Sequence, residues 1–167
     1  GVSERDFSKA LDEFANAVGQ DWVFTSEEDL KLYRDAYSPF YSEKEDRVAS
    51  AAVAPDRVEQ VQAIVRIANN YKIPLWTFST GRNLGYGGSS PAYSGCVVVD
   101  LKRMNRILEI DDKVHYAVVE PGVSYFDLYR YIQEHKLNVW IDPPDPGWGS
   151  PLGNSLDRGG GRTPMRE

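Results

Sequence analysis

Cysteine is nearly missing from this 167-residue chain, with Cys96 the single instance. One thiol excludes an internal disulfide framework and any zinc site built from several thiolates. Histidine is scarce as well. His115 and His135 are far apart in sequence with no third ligand at motif spacing, so no metal is expected. Long apolar runs are absent, and nothing approaches the roughly 18 residues needed to span a bilayer. Positive charge is in deficit, 19 Lys and Arg against 25 Asp and Glu for a net charge of −6. That excludes the basic footprint of a general nucleic-acid or anionic-membrane binder. The opening residues Gly1 to Asp6 lack the apolar stretch of a signal peptide, and with one cysteine they point to a cytoplasmic location.

What is present suits a single soluble domain: 41% hydrophobic and 26% charged residues, in a length that serves one hydrophobic core. The acidity is local. Residues 1–60 hold 14 acids and 7 bases, the rest 11 and 12. A phosphate-bearing ligand bound beyond residue 60 would therefore meet no opposing field.

Periodicity divides the chain into strand–helix units. Phe7, Ala10, Leu11, Phe14, Ala15 and Val18 predict a helix from Ser3 to Val18, capped by Ser3 and stopped by Gly19. Ser26 followed by Glu27, Glu28 and Asp29 opens a short helix to about Tyr33, and residues 34–47 read as a polar, aromatic loop. Ala49 to Ala54 is an apolar strand run. Asp56 and Glu59 then open a helix to about Asn70 with Val58, Val61, Val65 and Ala68 turned inward. Strands are expected at Leu75 to Phe78 and at Cys96 to Leu101, the latter apolar enough to be buried on both faces. Ile107 to Ile110 and Tyr116 to Val119 read as a hairpin. Ser124 and Asp127 cap a helix to about His135 with Tyr125, Leu128, Tyr129 and Ile132 on its apolar face, and Val139 to Asp142 reads as a short strand. Residues 143–164 contain five Pro and six Gly and cannot pack a core by themselves. The mix of strand–helix units with an antiparallel pair predicts an α+β domain.

The stretch from Ser79 to Ser90 follows a strand with Gly81, Gly85, Gly87 and Gly88 interleaved among Ser79, Thr80, Arg82 and Asn83. Glycine permits positive φ, so successive amides can converge on an anion, and Arg82 would add charge-assisted hydrogen bonds. A diphosphate fits this chemistry. The pattern is neither the Rossmann fingerprint nor a P-loop, because it runs on to Pro91 and another strand. A glycine-rich connection without any ligand fits the composition equally well.

Four blocks in order carry a resemblance: Thr80 to Gly88, Val119 to Val123, Trp140 to Asp145, and Gly153 to Gly159. Together they resemble the FAD-binding domain of the vanillyl-alcohol oxidase family, which includes p-cresol methylhydroxylase and eugenol oxidase. The resemblance runs from about Ala49 to Gly159. It implies FAD with its diphosphate in the loop formed by Ser79, Thr80, Gly81, Arg82, Asn83, Leu84, Gly85, Gly87 and Gly88. It implies oxidation of para-substituted phenols through a quinone methide. Tyr86 would then contact the phenol oxygen and Asp145 would act as acid or base beside the flavin, supported by Asp142. Gly153, Asn154 and Ser155 would lie along the flavin's other side.

Relatives continue past the last block with more of the flavin domain and a cap domain. The expectation is therefore that residues 1–159 form the N-terminal part of an FAD-binding domain, incomplete at its C-terminus and without a cap, and that residues 160–167 are a divergent tail. Covalent attachment of the flavin finds no support in these residues. The partners implied are a small phenol, and either the remainder of the enzyme or a second copy of the chain. Three readings stay open: the flavin-binding part of a phenol oxidase, an inactive flavin-binding remnant, and an FAD-dependent oxidase of another alcohol.

Overall fold

The computed structural model describes residues 1–83, 88–144 and 147–157. Helix α1 (Glu4–Val18) begins where Ser3 accepts the Asp6 amide and ends at Gly19, whose φ is 95°. Strand β1 (Val23–Phe24) and helix α2 (Glu27–Lys31) follow, the latter capped by Ser26. Strands β2 (Ala51–Val53), β3 (Leu75–Phe78) and β4 (Val97–Asp100) join β1 in a 4-stranded sheet of order β1-β2-β4-β3. Strand β1 is antiparallel to β2, whereas β2 and β3 both flank β4 in parallel, so that Ala52 and Trp76 lie opposite Val98.

Side chains alternate across this sheet with period two. Ala51, Val53, Val97 and Val99 face α1 and helix α3 (Val58–Tyr71), forming the main core with Phe14 and Ile64. Ala52, Phe78 and Val98 face the other way, onto Leu30 and Tyr33. Central β4 is buried throughout, as its uninterrupted valines predict.

The inward face of α3 differs from expectation. Gln60, Ile64, Ile67 and Ala68 are buried, while Val58 and Val65 stay exposed. Both stripes obey the helical period, and the bulkier isoleucines take the side that meets α1 and the sheet. Asp56 does not cap the helix. It pairs with Arg57 and Arg103, and its amide donates to Gln60 Oε1 at 2.8 Å.

A second unit comprises strands β5 (Ile107–Asp111) and β6 (Tyr116–Val119), antiparallel with an irregularity between Ile107 and Glu109, and helix α4 (Tyr125–Glu134). Its cluster of Val123, Leu128 and Ile132 is covered by Ile107, Ile110 and Val119. Ser124 and Asp127 complete the predicted capping box, whereas Tyr129 is exposed. Residues 139–142 do not form the expected strand. Val139 and Ile141 pack against the α4 cluster without a pairing partner, and Trp140 projects outward at 71% exposure. The Gly/Pro stretch instead yields a helix the composition hides, α5 (Pro151–Leu156), capped by Ser150 with proline at its first turn. Among the described residues no helix is long and apolar enough to cross a membrane.

One contact ties the units together and a second closes the open end of the hairpin. Gly122 lies so close to the preceding 3-10 turn that a β-carbon there would sit 2.6 Å from the Leu101 and Lys102 carbonyl oxygens. Arg106 pairs with buried Glu120 through two guanidinium nitrogens, and the Arg106 amide adds a third bond at 2.8 Å. The Arg106 hydrogen bond holds the Glu120 carboxyl below the ordinary glutamate value of 4.5. A depressed folded-state pKa stabilises the fold above the unfolded value, and that contribution is lost as pH falls through the folded one. The thermal midpoint of the wild type is therefore expected to drop more steeply below about pH 4.5 than that of Glu120→Gln. Superimposable slopes in calorimetry across that range would contradict this assignment.

Candidate functional site

Strand β3 ends at Phe78 opposite Asp100, and the glycine loop leaves the sheet there, at the carboxyl end of parallel strands, where such sheets open their ligand crevices. This corner is densely bonded. Asp100 caps the following turn by accepting the Lys102 amide, pairs with the Lys102 ammonium at 3.1 Å, and accepts the Tyr33 hydroxyl at 3.1 Å. Burial first, and the neighbouring Asp100 second, push the Tyr33 hydroxyl above the ordinary tyrosine range.

In the loop itself, Thr80 is buried and Arg82 and Asn83 are exposed. Gly81 and Gly88 both adopt left-handed backbone, with φ of 67° and 53°, which glycine reaches at no steric cost. The Gly88 amide donates to the Asn83 carbonyl at 3.0 Å, and a β-carbon on Gly88 would lie 3.4 Å from the Gly81 carbonyl oxygen. The two ends of the loop are thus held together. Among the described residues the amides of Gly81, Arg82 and Asn83 have no acceptor.

The second half of the site is assembled by α4. Helix N-termini leave amides without intrahelical partners, and here Tyr125 N donates to Gly149 O and Phe126 N to Gly147 O, both at 2.9 Å. These bonds clamp the Gly/Pro segment onto the hairpin unit. Ser150 Oγ then donates to Pro121 O at 2.7 Å and accepts the Gly153 amide at 3.0 Å, which starts α5. Helix α5 is laid against the glycine loop. A β-carbon on Gly153 would fall 2.2 Å from Ser79 Oγ, and Asn83 Nδ2 donates to Asp157 Oδ2 at 2.8 Å. Asn154 Nδ2 donates to Tyr125 Oη at 3.0 Å. Burial, and after it the carboxylate of exposed Asp142, raise the Tyr125 hydroxyl against the opposing effect of that bond.

The structure therefore brings Ser79, Asn83 and Gly153 into one place, with Thr80, Gly81, Arg82 and Gly88 in the same loop and Asp142 within electrostatic reach of Tyr125. The helix already uses the Gly153 and Asn154 amides, which bond to Ser150, and Ser155 Oγ returns to Pro151 O. Any contact that Gly153 and Asn154 make to a ligand thus cannot use these amides, and the side of Gly153 without a side chain is already filled by Ser79. Leu84, Gly85, Tyr86, Gly87 and Asp145 lie outside the described residues. Tyr125 and Ser150 were not singled out as site residues by sequence. Tyr125 reads as core from its helical spacing, and the Ser150-Pro151 pair is the local signal that could have located α5.

The donor set fits a dinucleotide. Amides at Gly81 to Asn83 and the exposed Arg82 guanidinium offer charge-compatible contacts to a diphosphate, and the glycine faces let it approach the main chain. A glycine loop leaving parallel strands and clasped by a short helix defines a domain for a diphosphate-bearing dinucleotide. The chain belongs to the FAD binding domain family, which matches residues 49–166, and FAD is its cofactor. It is 44% identical over 168 residues to the 4-cresol dehydrogenase (hydroxylating) flavoprotein subunit of Pseudomonas putida, covering 100% of this chain and 32% of that protein. Among solved structures, p-cresol methylhydroxylase with substrate bound superimposes with a TM-score of 0.91 at 44% identity, over 95% of this chain and 31% of that one. The isoeugenol complex of 4-ethylphenol oxidase from Gulosibacter chungangensis gives 0.92 at 45%, over 96% and 31%. The fold is thus the flavin-domain fold that the resemblance implied. The chain spans about a third of the length of these relatives.

Proposed function

We propose that this chain is the FAD-binding part of a flavoprotein that oxidises para-substituted phenols, with residues 1–159 forming that part and residues 160–167 a separate tail. The observation that carries the reading is the direct contact between the glycine loop and α5, through Ser79 with Gly153 and Asn83 with Asp157. Two motifs far apart in sequence then lie side by side. The similarity to a cresol dehydrogenase subunit and to a 4-ethylphenol oxidase supports the substrate class.

When bound, FAD supplies a two-electron acceptor for hydride. The chain's own residues hold and prepare the reactants. Gly81 to Asn83 and Arg82 would bind the diphosphate, while α5 would bound the crevice on its other side. Tyr86 would donate a hydrogen bond to the phenolate oxygen. The charge of that oxygen delocalises through the ring as hydride leaves the substituent carbon attached at the para position, and the substrate becomes a quinone methide. Asp145 would exchange a proton with that intermediate, as a carboxylate beside the flavin can. Asp142, held near Tyr125, would support the segment that carries it. The rest of the protein, or another polypeptide, would supply the remaining wall of the substrate site.

The test is anaerobic addition of a 4-alkylphenol to FAD-loaded protein, following loss of the oxidised-flavin absorbance. Bleaching is expected, and Tyr86→Phe should slow it about a hundredfold, the scale of losing one donor to a developing oxyanion. Asp145→Asn should leave FAD bound and slow turnover of the quinone methide. Bleaching by aliphatic alcohols alone would replace the phenol with another alcohol, and absence of retained flavin would favour an inactive remnant.

A further inference from the structure

Residues 1–48 lie outside the region that matches the family, yet the segment after α2 touches the far end of the glycine loop at Gly88 and Ser90. Ser90 Oγ donates to the Arg47 carbonyl at 3.2 Å, and the Val48 amide donates to Ser94 Oγ at 3.2 Å, so the outgoing limb of the loop is stitched to this segment. Asp35 stands at its centre. It is 5% exposed, deep for a carboxylate, and burial on that scale requires hydrogen-bond donors around the group. One oxygen accepts the Tyr37 amide at 3.0 Å, and the Asp35 carbonyl accepts the Ser38 amide at 3.0 Å. The carboxyl carbon lies 3.9 Å from the place a β-carbon on Gly88 would occupy. The buried acid therefore abuts the left-handed residue that closes the loop onto Asn83.

We propose that Asp35 is a positioning residue for the cofactor loop, fixing from the N-terminal segment the Gly88 end of the loop that carries the Gly81 to Asn83 amides toward the diphosphate. The proposal rests on the reading that this loop holds the diphosphate of FAD. It adds to that reading a residue that none of the four motif blocks contains. Asp35 touches no reacting atom, and its effect passes through the loop backbone.

Two readouts test this, one of them independent of flavin. Wild type, Asp35→Ala, Asp35→Asn and Asp35→Leu are titrated with FAD, following quenching of flavin fluorescence. Each apoprotein is also digested with trypsin, comparing cleavage after Arg82 in the loop with cleavage after Lys113 in the β5–β6 turn. Loss of one buried hydrogen-bonded acceptor should make Asp35→Ala bind FAD about tenfold more weakly and be cut after Arg82 about tenfold faster relative to Lys113. Asp35→Asn keeps an acceptor oxygen of the same reach and should return both readouts to within about threefold of wild type. If the residue only filled space, Asp35→Leu, of similar bulk but without an acceptor, would also return both readouts to within about threefold of wild type, and that result overturns the proposal. Asp35→Ala within about twofold of wild type in both readouts, or Asp35→Asn no better than Asp35→Ala, overturns the proposal. Should Asp35→Ala fail to fold, Asp35→Ser takes its place under the same criteria. A wild type that binds no FAD removes the cofactor from the loop, and the Arg82 comparison then decides the role of Asp35 alone.

Discussion

Gly122→Ala should destabilise the protein by about 3 kcal/mol, the upper range for forcing atoms into a filled site. The added methyl would meet the Leu101 and Lys102 carbonyl oxygens at 2.6 Å. Neither can rotate away, because both belong to the main chain of the turn that begins at Asp100. Relief therefore demands that the turn between Glu120 and Val123 move off the sheet. That would strain the Arg106–Glu120 pair and the bond from Ser150 to Pro121 O. Urea denaturation followed by circular dichroism measures the effect. A loss under about 1 kcal/mol would mean that the two units are not braced at this point.

Phe14→Ala should cost about 3–5 kcal/mol, the usual range for emptying a buried aromatic site. Phe14 is fully buried where α1 and α3 meet the sheet, with Val53, Ile64 and Val97 in the same cluster. The neighbours that could fill the void are β-branched or sit on central β4, whose backbone is fixed by parallel partners on both sides. Total stabilities of about 5–15 kcal/mol make this a large share. Phe14→Leu should recover most of the loss, by about 2 kcal/mol or more, because only part of the volume is removed. If the two variants unfold at the same denaturant concentration, Phe14 is not filling the site as its burial implies.

Elements whose physics is local were legible in the sequence. Ser3, Ser26 and Ser124 each sit where a cap is needed and do cap. The valine run of β4 announced a strand buried on both faces. What escaped detection depends on tertiary contact. Strand β1 has two residues, too few to show a period, and exists because β2 pairs with it. The face of α3 could not be chosen between two stripes until α1 was in place. Residues 139–142 have the composition of a strand but join no sheet among the described residues, and Val139 and Ile141 settle as a cover on α4.

The site divides along the same line. Ser79, Asn83 and Gly153 were legible because motif blocks contain them, and the structure brings them together. Residues that act through packing were not. Tyr125 looked like any apolar helix position, and Asp35 looked like one more solvated acid in a polar loop. Only the folded chain shows that the first holds Asn154 and the second lies buried against Gly88. Helix α5 was masked by its glycine and prolines, although Ser150 and Pro151 are a helix start.

The bond from Asn83 to Asp157 spans 74 positions, while every strand of the main sheet lies at or before Asp100. During synthesis the sheet and its two faces can thus be completed while the clasp is still inside the ribosome. Contacts of long sequence separation form late because the intervening chain must first be ordered. A nascent chain halted just after Asp100 would own a finished sheet and a half-made nucleotide crevice. If the proposed site is the one that holds flavin, flavin capture is a late event in biogenesis, one that reports that the polypeptide has emerged at least as far as α5.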